Sequence, residues 1–144
     1  MSTATAVTVA ITFVWLGMVL AISFLEAPLK FRAPGITIPL GLGIGRLVFR
    51  ALNACEAVWA IIVVVAVVVV SHWSSATVPV ATAVAVGALI CQIVGVRPAL
   101  TRRSDAGLAG ANSEHRSHAH LVYVGFEVIK VIALLILGIA ALGS

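Results

Sequence analysis

The sequence predicts an all-α integral membrane protein, a bundle of four transmembrane helices. Of its 144 residues, 62% are hydrophobic and 10% are charged, whereas soluble chains carry roughly a quarter charged residues. A helix needs about 20 apolar residues to cross the hydrocarbon core of a bilayer, and four such segments are present. We place these helices at residues 5–25, 47–71, 78–96 and 121–142 of a single domain, residues 1–144.

Each segment favours a spanning helix for a local reason. No Lys or Arg precedes the first segment, and its apolar stretch is too long for the core of a signal peptide, so we expect it to be retained. The second segment contains a run of Ile and Val at residues 61–70 that would suggest a strand in a soluble protein. Lipid cannot satisfy the backbone groups of an open strand, so we predict a helix here too.

The distribution of cations predicts the orientation in the membrane. Eight of the nine Lys and Arg residues lie within or beside two connections, residues 26–46 and 97–120. Both connections should therefore face the cytoplasm, with both termini outside, in the cytoplasmic (inner) membrane. The net charge of +4 is then explained by topology and by contact with anionic lipid headgroups, and it does not indicate a nucleic-acid partner.

The connection at residues 33–45 is apolar but contains two prolines and four glycines. We expect it to lie in the membrane interface; the alternative is a re-entrant segment, which protein or water must cover. Its Gly41-x-Gly43-x-Gly45 lacks the preceding strand and the Lys-Ser/Thr of a phosphate loop. Free amides at the start of the second helix, with Arg46 and Arg50, could instead hold a lipid phosphate or another anion.

Polar side chains recur at the same offsets in the second and fourth helices. Aligning residues 46–49 with 120–123 places Asn53 over Glu127 and Glu56 over Lys130. Two repeated helical hairpins would produce this pattern, as in transporters built from parallel repeats. Chance similarity between apolar helices is the alternative.

These polar residues predict a cluster in the cytoplasmic third of the bundle. A charged side chain at the centre of a spanning helix costs about 2.5–3.5 kcal/mol, so such groups should face inward and pair. The extracellular half is expected to be almost entirely apolar, which argues against a continuous pore. The predicted ligand- or ion-binding residues are Glu26, Arg46, Arg50, Asn53, Glu56, Gln92, His120, Tyr123, Glu127 and Lys130.

The cluster leaves three functions open. The leading hypothesis is binding or transport of a small solute or cation, with Glu56 and Glu127 as the protonatable pair. In the alternative, the chain is a non-catalytic accessory or scaffold subunit of a membrane complex, and the cluster fixes the helix register. A less favoured hypothesis is a lipid-modifying enzyme, for which no nucleophile motif is present. Small residues such as Gly17 and Gly87 would permit a homo-oligomer or a membrane-protein partner.

Three histidines just before the fourth helix form a candidate metal site. His115, His118 and His120 carry imidazoles, which suit zinc, copper or nickel. Arg116 would repel a dication, and His118 and His120 cannot share a helical face. A divalent metal is therefore a hypothesis beside the alternative of solvated interface histidines, and no other cofactor is expected.

Two segments carry a family resemblance. The first is Glu26-Ala27-Pro28-Leu29-Lys30-Phe31 before a glycine-rich connection, and the second is the stretch 120–127 that opens the last helix. With these segments the chain resembles small, largely uncharacterised bacterial four-helix integral membrane proteins. In that family an Ala-Pro-x-x-Phe closes the first helix and a His opens the fourth, and Pro28, Phe31 and His120 match. The resemblance implies the four-helix architecture and no particular activity.

Overall fold

The protein is described by a computed structural model that covers residues 1–96 and 114–144, with backbone alone at residues 96 and 114–120. Within these ranges the chain is all-helical and contains four helices that are long and apolar enough to cross a membrane. The predicted fold class, an all-α bundle of four transmembrane helices, is confirmed.

Helix α1 spans Thr3–Arg32 and changes its winding part-way along. It begins as an α-helix capped by the Ser2 hydroxyl, which accepts a hydrogen bond from the amide of Thr5 at 3.1 Å. From Leu20 to Glu26 it becomes a π-helix, and it ends in a short helical turn containing Pro28. Proline clashes with the carbonyl four residues before it, and the wider π-turn accommodates the ring without ending the helix at residue 25.

Helix α2 spans Ile38–Val69 and therefore begins well before residue 47, where the sequence pattern placed its start. The Thr37 hydroxyl caps it, and Pro39 lies in its first turn, where a missing amide proton costs no hydrogen bond. Residues 38–45 of the connection predicted at 33–45 are therefore helical and continuous with the spanning helix. Their interfacial position stays a prediction. The chain reverses between α1 and α2 at Gly35, whose φ of 79° favours glycine.

Two glycines near the start of α2 allow α1 to pack closely. A Cβ atom at Gly41 would overlap the ring of Phe31, and one at Gly45 would lie 2.6 Å from the Lys30 ammonium nitrogen. The two glycines are four residues apart and share a helical face. The glycine pattern is therefore explained by helix packing, without a phosphate loop.

Helix α3 runs as an α-helix over Thr77–Cys91 and continues as a π-helix over Gln92–Val96. Helix α4 spans Glu114–Leu142 and so begins before the predicted residue 121. We call the end of the bundle that contains Thr3 and Val69 the terminal end, and the end that contains Arg32 and Ile38 the loop end.

The bundle has a polar centre and an apolar exterior. Helix α4 lies along α3 and α1, and α1 also lies along α2. The core toward the terminal end contains Trp15, Val63 and Leu134 among other buried apolar side chains, while many Leu, Ile and Val side chains are exposed on the outside. Soluble proteins rarely expose such a large continuous apolar surface to water. This distribution is typical of a membrane protein.

Both helices that open a hairpin change from α- to π-winding near the loop end. In the sequence, a proline stands two residues after the last residue of each π segment. These prolines are Pro28, after Glu26, and Pro98, after Val96. In addition, Glu56 and Lys130, which the hairpin alignment makes equivalent, contact each other. An axis between two repeats would bring equivalent residues together in this way. The repeat itself stays a prediction.

Candidate functional site

Each helix places one polar or aromatic residue at a similar depth in the bundle. At a rise of about 1.5 Å per residue, these residues lie roughly 18–22 Å along their helices from the terminal end: Trp15, Glu56, Gln92 and Lys130. Because the hydrocarbon core is about 30 Å thick, this depth is well inside a bundle of membrane-spanning helices. We call Glu56, Gln92, Glu127 and Lys130 the ion-pair cluster.

Lys130 lies at the centre of the ion-pair cluster and is fully buried. Its ammonium nitrogen is 2.5 Å from Oε2 of Glu56 and 2.6 Å from Oε1 of Glu127. It also donates a hydrogen bond of 2.7 Å to Oε1 of Gln92. A lysine ammonium has three donors, so all three are used, and they join α2, α3 and α4 to one charged group.

Glu127 accepts further hydrogen bonds from the two π-helical segments. The Ser23 hydroxyl, in the π segment of α1, donates to Oε2 of Glu127 at 2.6 Å. The side-chain amide of Gln92, at the start of the π segment of α3, donates to Oε1 at 2.6 Å and lies 3.3 Å from the Tyr123 carbonyl. Single π-turns are frequent at functional sites, and here each one supplies a donor to the same carboxylate.

The two carboxylate oxygens of Glu56 differ in their hydrogen bonds: one accepts two, and the other accepts none from the described residues. Its Oε2 accepts from Lys130 and, at 2.8 Å, from the indole nitrogen of Trp15. Its Oε1 is buried with no hydrogen-bond partner among the described residues, and the same holds for both amide atoms of Asn53, one helical turn away. Buried polar atoms are usually satisfied by protein or ordered water. These three atoms are therefore available to a ligand, an ion or a water.

The residues between the ion-pair cluster and the loop end form an aromatic layer with charges outside it. The rings of Phe49 and Tyr123 meet edge to face at 5.6 Å. The Lys30 ammonium lies 5.7 Å from the centre of the Phe49 ring and 4.0 Å from Oε2 of Glu26. Arg46, half-buried on α2, lies on the same side. Along the bundle, the two aromatic rings thus lie between the ion-pair cluster and the charged residues near the loop end.

The structure divides the ten sequence-predicted site residues into three groups. Glu56, Gln92, Glu127 and Lys130 are in direct contact, and Asn53 and Tyr123 are buried beside them. Glu26, Arg46 and Arg50 lie nearer the loop end, where Arg50 is exposed. The side chain of His120 lies outside the described residues, as do those of His115 and His118.

The backbone carrying the three histidines is helical, within α4. In the described part of the chain, no group of three His, Cys, Asp or Glu side chains is arranged to hold a metal ion. The divalent metal at His115, His118 and His120 stays a prediction.

Sequence reasoning missed several residues around the site. Ser23 and Trp15 bind the two carboxylates directly, and the expectation of an almost wholly apolar terminal half is wrong. Four threonines are buried there: Thr5, Thr8, Thr12 and Thr82. A signal was present in the sequence, because Thr5, Thr8, Thr12 and Trp15 follow the same offsets as the polar face of α2.

The chain shows no significant match to known protein families, to curated proteins or to solved structures. Its function is therefore inferred from the residues and geometry of the ion-pair cluster.

Proposed function

We propose that this membrane protein binds a small solute or cation at the ion-pair cluster and moves it across the bilayer. The observation that carries the proposal is that, among the residues the structure describes, two buried carboxylates share a single buried cation. Glu56 and Glu127 are at most 1% exposed, and Lys130 is 0% exposed. Ionisable groups inside a membrane are rare and often mark an ion or substrate pathway.

The charge of the cluster supports a positively charged cargo. With all three side chains ionised, two carboxylates and one ammonium sum to a net charge of minus one. A buried charge without a partner is strongly unfavourable. One additional positive charge, whether a proton on a carboxyl or a small cation, neutralises the site.

The unpaired atoms support a position for that cargo. Oε1 of Glu56 and Oδ1 of Asn53 are buried oxygens without a hydrogen-bond partner among the described residues. Carboxylate and amide oxygens are the ligands of hard cations, and a carboxylate oxygen is equally the acceptor of a proton. Binding beside Glu56 leaves the three bonds of Lys130 in place.

The predicted orientation of the chain in the membrane supports loading of the cargo from the cytoplasm. The cations near the loop end favour the cytoplasmic side of the inner membrane, where they would also contact anionic lipid headgroups. The ion-pair cluster then lies behind the Phe49 and Tyr123 rings as seen from the cytoplasm. We place both termini outside and allow a homo-oligomer or a membrane-protein partner.

A second candidate function is a scaffold or accessory subunit, and one observation favours it. The three donors of Lys130 bind side chains of α2, α3 and α4, and Trp15 connects α1 to the same cluster. Such a network fixes the relative positions of all four helices. Under this function the cluster needs no cargo, and the chain acts through its partners.

Reconstitution in liposomes separates the two candidates. Flux would be measured with internal pH and alkali-metal dyes under imposed proton, sodium and potassium gradients, for the wild type and for Glu56→Gln and Glu127→Gln. Glu26→Gln is the matched control, because it makes the same chemical change at a partly exposed carboxylate that lies outside the ion-pair cluster, nearer the loop end.

Transport predicts wild-type flux that both cluster variants lose while the folded protein is retained, and that Glu26→Gln keeps. The scaffold function predicts no wild-type flux under any gradient, with reduced abundance or lost assembly in the cluster variants. Flux that neither cluster variant changes would refute the role given to Glu56 and Glu127.

A further inference from the structure

The terminal half of the bundle contains a line of buried hydroxyls that leads to the ion-pair cluster. Thr5, Thr8 and Thr12 lie on the interior face of α1, and Trp15 continues that face. Thr8, Thr12 and Trp15 are each 0% exposed. The indole of Trp15 then donates to Glu56, so the line ends at a carboxylate of the cluster.

The hydroxyl of Thr12 differs from the other threonine hydroxyls. Thr8 and Thr82 donate to the backbone carbonyl four residues earlier, at 2.9 Å in each case, which is the usual way for a threonine to satisfy its hydroxyl inside an apolar helix bundle. Thr5 lies 2.9 Å from the Ser2 hydroxyl. Thr12 Oγ1 is buried and makes no hydrogen bond to any described residue.

The spacing of the hydroxyls indicates what can travel along them. Residues three or four apart on a helix are roughly 5–6 Å apart, a gap that one water molecule can bridge. The described core of the bundle is otherwise mainly apolar and includes Val63, Val67 and Leu137. A metal ion needs about six oxygen ligands, which a single row of hydroxyls does not provide, whereas a proton needs only a chain of donors and acceptors.

We propose that Thr5, Thr8 and Thr12 form the terminal-end half of a proton path, with Trp15 as the gate between the path and Glu56. This inference rests on the proposed function and deepens it by naming the proton as the cargo. Together with entry through Asn53 at the loop end, the path gives the ion-pair cluster access to both faces of the membrane.

The transfer balances without any other reactant. A proton enters from the loop end beside Asn53 and forms an O–H bond on Oε1 of Glu56, which neutralises the cluster. Release breaks that bond and restores the carboxylate. Each bridging water along the threonines then accepts one proton and passes another onward to the terminal end.

The test deletes one hydroxyl without changing side-chain size. Thr12→Val replaces the hydroxyl by a methyl group, and Thr82→Val is the matched control, because its hydroxyl is satisfied by its own helix. Proton flux into liposomes would be driven by a potassium diffusion potential with valinomycin. We expect Thr12→Val to lower the flux roughly tenfold, equivalent to about 1.4 kcal/mol, with Thr82→Val close to wild type and Thr12→Ser restoring the flux.

The outcomes separate this inference from the proposed function. If Glu56→Gln abolishes flux while Thr12→Val and Thr82→Val behave alike, the threonine path is wrong and the cluster function stands. A wild-type flux of sodium or potassium without protons would likewise refute the threonine path and leave the cluster function standing. Absence of any wild-type flux would overturn both proposals together.

A second measurement covers the case in which Thr12→Val does not fold. Thr12→Cys would be made after Cys55 and Cys91 are replaced by Ala, and a small water-soluble thiol reagent would be added on the terminal side. Labelling of Thr12→Cys, with none of the matched Thr82→Cys variant, supports a water-accessible path. Equal protection of both positions would refute it.

Discussion

The ion-pair cluster makes a quantitative prediction about Lys130. Lys130→Met keeps a long unbranched side chain but removes the ammonium group, which leaves Glu56 and Glu127 buried without their cation. Loss of one partner of a buried ion pair costs about 3–5 kcal/mol. Because this lysine serves two carboxylates at 2.5 and 2.6 Å, we expect a loss of unfolding free energy at the upper end of that range.

The assay is reversible unfolding in mixed micelles of mild detergent and increasing SDS. Lys30→Met is the control, because its pair with Glu26 has an N–O distance of 4.0 Å and is partly exposed; such pairs contribute about 0–1 kcal/mol. Combining Lys130→Met with Glu56→Gln removes one uncompensated charge, so the double variant should be more stable than Lys130→Met alone. A loss below about 1 kcal/mol for Lys130→Met, or no recovery in the double variant, would refute the buried ion-pair reasoning.

Two further stability predictions use the same unfolding assay. Trp15→Phe keeps an aromatic ring but removes the indole donor to Glu56. Since a hydrogen bond to a charged group contributes about 1.5–3 kcal/mol, we expect the free energy of unfolding to fall by an amount in that range. An unchanged free energy of unfolding would show that this hydrogen bond does not stabilise the bundle. Gly41→Ala places a methyl group against the ring of Phe31. That side chain is 42% exposed and can turn away, so we expect a cost of at most about 1 kcal/mol, at the low end for overpacking. Gly43→Ala meets open space and should instead stabilise the helix by up to about 1 kcal/mol, so equal effects at the two glycines would contradict the close packing of α1 on α2.

The sequence predicted that the charged side chains face the interior, because exposing a charged side chain to lipid costs a large free energy. Glu56, Glu127 and Lys130 lie near the middle of apolar helices, and lipid exposure of each would cost about 2.5–3.5 kcal/mol. Inward pairing was therefore expected, and the three side chains do pair in the structure. The function that follows from their pairing was not fixed in the same way, since a neutralised network and a cargo site use the same residue types.

The helix boundaries were predicted less well, because tertiary contacts override local signals. Glycines and a proline at residues 38–45 read as a broken connection, yet this stretch is helical, since Gly41 and Gly45 pack against the end of α1. The π segment of α1 was equally hidden, although Pro28 provides a local reason for it. Hydropathy shows that a helix crosses the membrane but does not show how its last turns are wound.

By itself, the sequence determined the class of protein, the number of crossings and the inward direction of the charged side chains. These follow from the transfer free energy of each residue between water and lipid, which depends on the residue and its position along the chain. Only the tertiary structure decided that Trp15 and Ser23 reach the two carboxylates, that Glu56 keeps one oxygen unpaired, and that a row of threonines leads to it. Such features depend on the angles and depths at which separate helices meet, and they are set by packing between residues far apart in sequence.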